Sequence, residues 1–371
     1  MQTKKYDVAA YIWPAYTGDE PRTRIFWPEG IGEWQSVKNA VKKAPGHSWP
    51  RRPLWGYANE ADPYVMEMEI AAAADHGVNV FIYDWYWFDH RPFLEQCLDN
   101  GYLRAKNNGR VKFYLMWANH DATSAWDIRT SHDNTRIWSG AVTREEFETI
   151  ALRMIDKYFK LPNYYTIDGK PVLMIYDTLN LIRGLGGVER TRAALDWFRE
   201  QTVKAGLKGL HLQMTMWSEN ALNLSGVDGK KDVSAYGLIA KLGYDSLTHY
   251  QFVHFVDIDR GYLDILPDVR AEWKRIGEKS PVPYYPHVSV GWDNNPRFTE
   301  YRPGIVRDNT PENFEKGLRM AKDYADGHPA QPPLVTLNSW NEWTETSYLE
   351  PDGRNGYGYL EAVKRVFLDG K

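Results

Sequence analysis

The run LVTLNSWNEWTETSYLEPD, residues 334–352, decides how this chain is read. Its first four residues, Leu334-Val335-Thr336-Leu337, are apolar or β-branched and follow the helix-hostile Pro332-Pro333, so they read as a buried strand. The run then turns polar and aromatic, with carboxylates at Glu342, Glu345 and Glu350 among Asn338, Trp340, Asn341, Trp343 and Tyr348. A segment just past the C-terminal end of a parallel strand faces the crevice where α/β folds bind ligands. Paired glutamates at such a place point to acid/base chemistry.

Outward from this strand the chain alternates. Strands are predicted at 6–13, 78–83, 111–117, 171–176, 209–215, 246–252 and 284–290, with 334–337 as the eighth. Helices are predicted at 63–76, 92–102, 143–159, 188–205, 233–242, 266–277, 310–325 and 358–368. Asp62-Pro63 supplies a cap and a first-turn proline, and Thr143 caps a helix whose first turn carries Glu145 and Glu146, where the dipole favours them. A long aromatic loop, 14–62, follows the first strand. Eight mostly apolar strands alternating with helices is the pattern of an α/β fold of one kind, a single (β/α)8 TIM barrel spanning residues 1–371 with long aromatic-rich loops. A doubly wound open sheet is the competing architecture, but the chain lacks its glycine-rich first turn.

Composition narrows the partner. The net charge of −4 is spread along 371 residues, without the clustered basic surface that nucleic acid requires. Aromatic residues make up 14%, including 16 Trp and 24 Tyr, more than a core needs. Such rings stack on the C–H faces of sugars and suit wet clefts. The single cysteine, Cys97, excludes an intramolecular disulfide and a cysteine-based zinc site. No stretch of 18 apolar residues is present, and the start, MQTKKYDVAAYIW, lacks a signal-peptide core. The expectation is a soluble protein, monomeric or weakly oligomeric, periplasmic or secreted if an export signal has been removed. The histidines are scattered and no cofactor is expected; a metal, were one bound, would be calcium held by oxygens.

In a barrel the residues after each strand share one mouth. These are Trp13 and Tyr16; Asp84, Trp85, Tyr86 and Trp87; Trp117, Asn119, His120 and Asp121; Asp177; Trp217 and Glu219; His249, Tyr250 and Gln251; Trp292, Asp293, Asn294 and Arg297; and Trp340, Asn341, Glu342, Trp343 and Glu345. Tryptophan follows six of the eight strands. A ring of indoles with carboxylates and amides is suited to an oligo- or polysaccharide. Asp84 and Asp293 are expected to hold sugar hydroxyls, and Tyr250 and Arg297 to orient the sugar or an anionic substituent. Glu342 and Glu345, three apart, would share one face of a helical turn with Cβ atoms about 5 to 6 Å apart. Carboxyls that close split their ionisation, as glycoside cleavage requires, and a separation of roughly 5 to 5.5 Å goes with retention of configuration.

Asn341-Glu342-Trp343-Thr344-Glu345, with Leu349-Glu350-Pro351 downstream, resembles the signature of the family 99 glycoside hydrolases, the endo-α-mannosidases, and of the related WbsX-like proteins often labelled glycosyltransferases. FIYDWYWF at 81–88, Trp117-Ala118-Asn119, Gly243-Tyr244-Asp245-Ser246, Gly291-Trp292-Asp293-Asn294 with Arg297, and Gly358-Tyr359-Leu360 agree with it across nearly the whole chain. The resemblance implies a (β/α)8 barrel cleaving α-linked glycosides with retention. Glu342 would deprotonate the sugar's own 2-hydroxyl, which attacks the anomeric carbon; Glu345 would protonate the leaving group and later activate water. One departure stands out: the WbsX-like pattern carries Glu after Trp-Ala-Asn, whereas this chain has His120 followed by Asp121. The sugar is therefore expected to differ from mannose.

Two other functions stay open at this level. A glycosyltransferase would bind a sugar nucleotide, for which Asp257-Ile258-Asp259 is the only DxD in a loop and lacks strand-end context. A noncatalytic sugar-binding barrel would keep the tryptophans without needing two adjacent glutamates.

Overall fold

The computed structural model describes residues 6–219, 222 and 234–370. Eight parallel strands form its centre: β1 (Asp7–Ile12), β2 (Val80–Phe88), β3 (Lys112–Trp117), β4 (Lys170–Ile175), β5 (His211–Thr215), β6 (Ser246–Thr248), β7 (His287–Ser289) and β8 (Leu334–Asn338). They pair in the order β6-β5-β4-β3-β2-β1-β8-β7, so neighbours in sequence are neighbours in space. Between β7 and β6 the ring is closed by a single bridge, Leu247 to Tyr284. There Leu247 N donates to Pro283 O at 2.9 Å and Tyr285 N to Leu247 O at 2.8 Å. Pro283 and Pro286 have no N–H to extend the pairing, which is why β7 is shorter than the predicted 284–290. The result is the predicted TIM-like barrel, nearly closed.

Helices surround it: α1 (Pro63–Asp75), α2 (Arg144–Met154), α3 (Thr178–Leu185), α4 (Val188–Lys204), α5 (Ala235–Leu242), α6 (Tyr262–Lys279), α7 (Pro311–Gly327) and α8 (Gly358–Phe367). Asp62, Thr143 and Thr310 cap α1, α2 and α7 by accepting from Tyr64 N, Glu146 N and Asn313 N. None of the described helices is long and apolar enough to cross a membrane.

Several boundaries depart from the sequence reading. The strand expected at 78–83 runs on to Phe88, because Arg91–Phe93 folds back and pairs with Tyr86–Phe88 through a turn with Asp89 and His90 at positive φ. That hairpin replaces the first part of the helix expected at 92–102; what remains is a π turn, Cys97–Gly101, running into a 3-10 turn, Tyr102–Arg104. The helix expected at 143–159 widens to π geometry at Ile155–Phe159. The unexpected α3 is capped by Asp177, whose side chain accepts from Asn180 N. The strand expected at 246–252 stops at Thr248, and α6 begins at Tyr262, ahead of 266, with Pro267 inside it. Residue 233, where a helix was expected to start, lies outside the described residues; α5 itself starts at Ala235.

The barrel is packed, not a pore. Tyr11 Oη donates to His249 O at 2.9 Å and Tyr114 Oη to Gln213 Oε1 at 2.9 Å. His287 bridges Thr336 Oγ1 and Ser289 Oγ, each at 3.0 Å. Burial pushes the His287 imidazole well below its ordinary pKa, so it serves as a neutral linker between hydroxyls.

Candidate active site

The chain leaves β8 through Ser339, whose Oγ donates to Ser347 O at 2.6 Å and accepts from Glu342 N at 2.7 Å. Asn341–Glu342 then pairs antiparallel with Ser347–Tyr348, and Trp343–Glu345 forms a 3-10 turn between them. Thr346 reverses the chain at φ 56°. Three residues complete one 3-10 turn, so Glu342 and Glu345 come to the same side.

Three more carboxyls lie under this turn. Trp340 Nε1 donates to Glu69 at 3.0 Å, Asn341 Nδ2 to Glu60 at 3.0 Å, and Trp343 Nε1 to Glu350 at 2.5 Å. Oxygens of Glu60, Glu69 and Glu350 lie within 4.8 Å of one another, the one group among the described residues spaced to hold a metal ion. All three carboxyls are fully enclosed, and burial raises each; Glu69 is pushed up to about 8. Each of the three already accepts from a side-chain N–H of the segment after β8. Their charges add to the effect of burial: Glu69 raises both Glu60 and Glu350, which favours protonated forms in this trio.

Above the turn, Arg297 arrives from the 3-10 segment Asn295–Arg297 after β7. Its Nη2 donates to Glu342 Oε1 at 2.5 Å, its Nη1 to Glu345 Oε1 at 2.7 Å, and its Nε to Glu33 Oε1 at 3.2 Å. Burial raises the pKa of both members of the pair; for Glu342 the charge of Glu345 adds to the rise, whereas for Glu345 Arg297 opposes it. One guanidinium facing two buried carboxyls favours a pair that keeps a proton.

A cavity of about 150 Å³ opens on this pair, lined by Trp13, Asp84, Tyr86, Met116, Ala118, His120, Trp126, Tyr176, Tyr250, Arg297, Glu342 and Glu345. Tyr250 Oη donates to Asp84 Oδ2 at 3.1 Å. Two buried oxygens, Asp84 Oδ1 and Glu345 Oε2, have no partner. Burial raises the Asp84 carboxyl well above the usual range. It lowers the His120 imidazole, whose Nδ1 is bonded to Asp121 O at 2.9 Å, leaving Nε2 with a lone pair. The lining is thus rich in groups that accept or donate to hydroxyls.

Of the residues expected at the mouth, Trp13, Asp84, Tyr86, His120, Tyr250, Arg297, Glu342 and Glu345 meet at this cavity. The others are engaged elsewhere. Trp85 and Trp87 donate to Glu95 at 2.9 Å and Glu146 at 2.7 Å, and Trp117 packs against Phe147. Trp217 stacks on His254 at 4.3 Å beside a neighbouring cavity, and Trp343 stacks on Tyr348 at 3.8 Å. Trp292, half-buried, packs against the main core. Tyr16 packs on Trp34, and its hydroxyl accepts from Trp343 N. The Asn119 and Asn341 amides tie backbone at Asp177 and Trp13. Asp121 accepts from Gly140 N, and Asp293 is held by His47 at 2.9 Å and by Asn295. The indole ring expected around the mouth therefore shrinks to Trp13 and Trp126 at the cavity itself.

Sequence reasoning passed over Trp126, Met116 and Ala118 as lining residues and Glu33 as a partner of Arg297. Tyr176 was counted only as the last residue of a strand, although it stands one position past β4, where the alternation rule could have flagged it. Glu33 precedes a short helix, Trp34–Asn39, and Trp126 ends a 3-10 turn, Ser124–Trp126, both within long connections in whose sequence no spacing signal marks them.

A protein-family model described as glycosyltransferase WbsX matches residues 8–363. WxcX of Xanthomonas campestris pv. campestris is 25% identical over 361 residues, covering 93% of this chain but 47% of WxcX, so the chain spans about half the length of that relative. In fold the chain is similar to the GH99 endo-α-mannosidase of Bacteroides thetaiotaomicron, with a TM-score of 0.61 at 14% identity over 99% of this chain and 98% of that one. A solved glycoside hydrolase-like protein gives 0.64 at 17% identity, over 99% and 95%. With the family model matching nearly end to end, the chain belongs to the WbsX family.

Proposed function

We propose that this protein is a retaining glycoside hydrolase acting on α-linked bonds of an oligo- or polysaccharide. The observation that carries the reading is the pair Glu342 and Glu345, buried at one cavity on one guanidinium, with Glu345 Oε2 unpartnered. Carboxyls that both reach the Nη atoms of a single arginine suit the roughly 5 to 5.5 Å spacing of retaining enzymes. Glu345, which lines the cavity and whose Oε2 has no hydrogen-bond partner, is the acid that protonates the leaving oxygen and then activates water. Glu342 is the base that takes the proton of the sugar 2-hydroxyl, which closes on the anomeric carbon as the leaving group departs. Asp84, held neutral by burial, and His120 Nε2 offer a donor and an acceptor to sugar hydroxyls, and Trp13 and Trp126 supply ring faces. The fold shared with the endo-α-mannosidase supports an α-linked substrate.

A glycosyltransferase is the second reading, favoured by the description of the family model. Against it, Asp259 of the DxD is exposed and paired with Arg307 at 2.8 Å, away from the cavity. The two are separated by incubating the protein with a panel of α-linked oligosaccharides and, in parallel, with sugar nucleotides plus acceptors, following products by NMR. Release of a sugar whose first-formed anomer is α, lost in Glu345→Gln, is expected. Transfer from a nucleotide without hydrolysis would overturn the proposal.

A further inference from the structure

Glu33 does not line the site cavity and is fully buried, yet it touches three walls of the site at once. It accepts from Trp13 Nε1 at 2.5 Å, from Thr344 Oγ1 at 3.0 Å and from Arg297 Nε at 3.2 Å. Those donors belong to the end of β1, to the turn between the two catalytic candidates, and to the loop after β7. The carboxylate is held there by its own loop: Glu33 N donates to Ala15 O at 3.0 Å, and the preceding Gly32 sits at φ 61°, where a Cβ would run into the Ala15 and Thr17 carbonyls.

A guanidinium can offer one carboxylate a two-toothed grip. Arg297 does not: its two Nη groups go to different glutamates, and the edge that carries Nε is taken by Glu33. We infer that Glu33 is a positioning residue which, by holding the Nε edge of Arg297, divides the guanidinium between Glu342 and Glu345 and so sets the proton affinity of that pair. The assignment rests on the hydrolase reading for its kinetic consequence, not for its geometry. Other charged or titratable groups face the pair: Asp84 from β2, Tyr16 from the loop after β1, Tyr86, His120 after β3, Tyr176 after β4 and Tyr250 after β6. None of these bonds the Nε edge.

The sign follows from charge. The negative charge of Glu33 favours the protonated form of its two neighbours, so its removal lets Arg297 ionise them more readily. In Glu33→Gln the alkaline limb of kcat/KM, on whichever α-glycoside the wild type cleaves, is expected to move down by about one pH unit, with kcat at neutral pH down about tenfold and KM changed far less. Glu33→Asp, which keeps the charge on a shorter stem, restores part of the limb. Thr344→Val, which removes one packing bond to Glu33 but no charge, keeps the wild-type limb. A Glu33→Gln enzyme with the wild-type limb, or a Thr344→Val enzyme shifted as far, would show that Glu33 only packs. Should Glu33→Gln not fold, Glu33→Asp decides: an intermediate limb supports the assignment and an unshifted one removes it. If the wild type cleaves no glycoside, the hydrolase reading fails while the inference stays testable, because ¹³C NMR titration of the glutamate carboxyls reads the same shift without turnover.

Discussion

Replacing Glu345 by Gln leaves an oxygen for Arg297 but removes the proton that the unpartnered Oε2 would deliver. The expected loss is about 10²- to 10⁴-fold in kcat with binding retained, read by initial rates and by ligand titration. Asp84 behaves differently. Its carboxyl, raised well above the ordinary range by burial, already presents a neutral donor-acceptor pair, which an amide reproduces. Asp84→Asn is therefore expected to keep KM within about tenfold of wild type, whereas Asp84→Ala, which also strands the Tyr250 hydroxyl, raises it further. Equal damage from both would mean that the charge, not the hydrogen-bonding shape, is used. The pH profile carries its own sign: both members of the Glu342 and Glu345 pair are raised, so activity persists above the ordinary carboxyl pKa of about 4.3 and falls as pH climbs through the raised value.

Among the elements, the β8 turn is the one whose form dictates the chemistry. Ser339 makes two bonds that hold it, one to Glu342 N and one to Ser347 O. Ser339→Ala leaves both backbone groups buried without that partner and is expected to cost about 1–3 kcal/mol in urea unfolding. The loop bearing Glu33 has a similar pin: a Cβ on Gly32 would stand 1.9 Å from Ala15 O, so Gly32→Ala must displace the loop. Thermal melts should show a folded barrel with weakened ligand binding. How far these elements could be read beforehand depended on the kind of signal. Runs such as 111–117 and 171–176, apolar and short, landed within a residue of β3 and β4, since burial on both faces writes itself as continuous hydrophobicity. The segment 84–88 was read as loop because Asp84 interrupts the run, and only the hairpin with Arg91–Phe93 keeps it extended. The motif at β8 was visible as a pattern, but Glu33, brought to Arg297 across 264 positions, has no local mark.

At the scale of the whole molecule, the three carboxyls under the site tie stability to pH. Folded pKa values above those of the unfolded chain contribute stability that is complete below the unfolded value, about 4.3, and fades as pH rises through the folded ones, about 8 for Glu69. Urea midpoints should decline from mildly acidic to alkaline pH, and Glu69→Gln should flatten that decline; a wild-type curve level across this span would contradict it. The same trio has a consequence for biosynthesis. Trp340 reaches back 271 positions to Glu69, and Asn341 reaches back 281 to Glu60. A polypeptide emerging from the ribosome therefore carries two acidic side chains whose indole and amide partners follow 271 and 281 positions later. Glu342 and Glu345 arrive only with the segment after β8, so a copy halted before that strand lacks the candidate pair altogether.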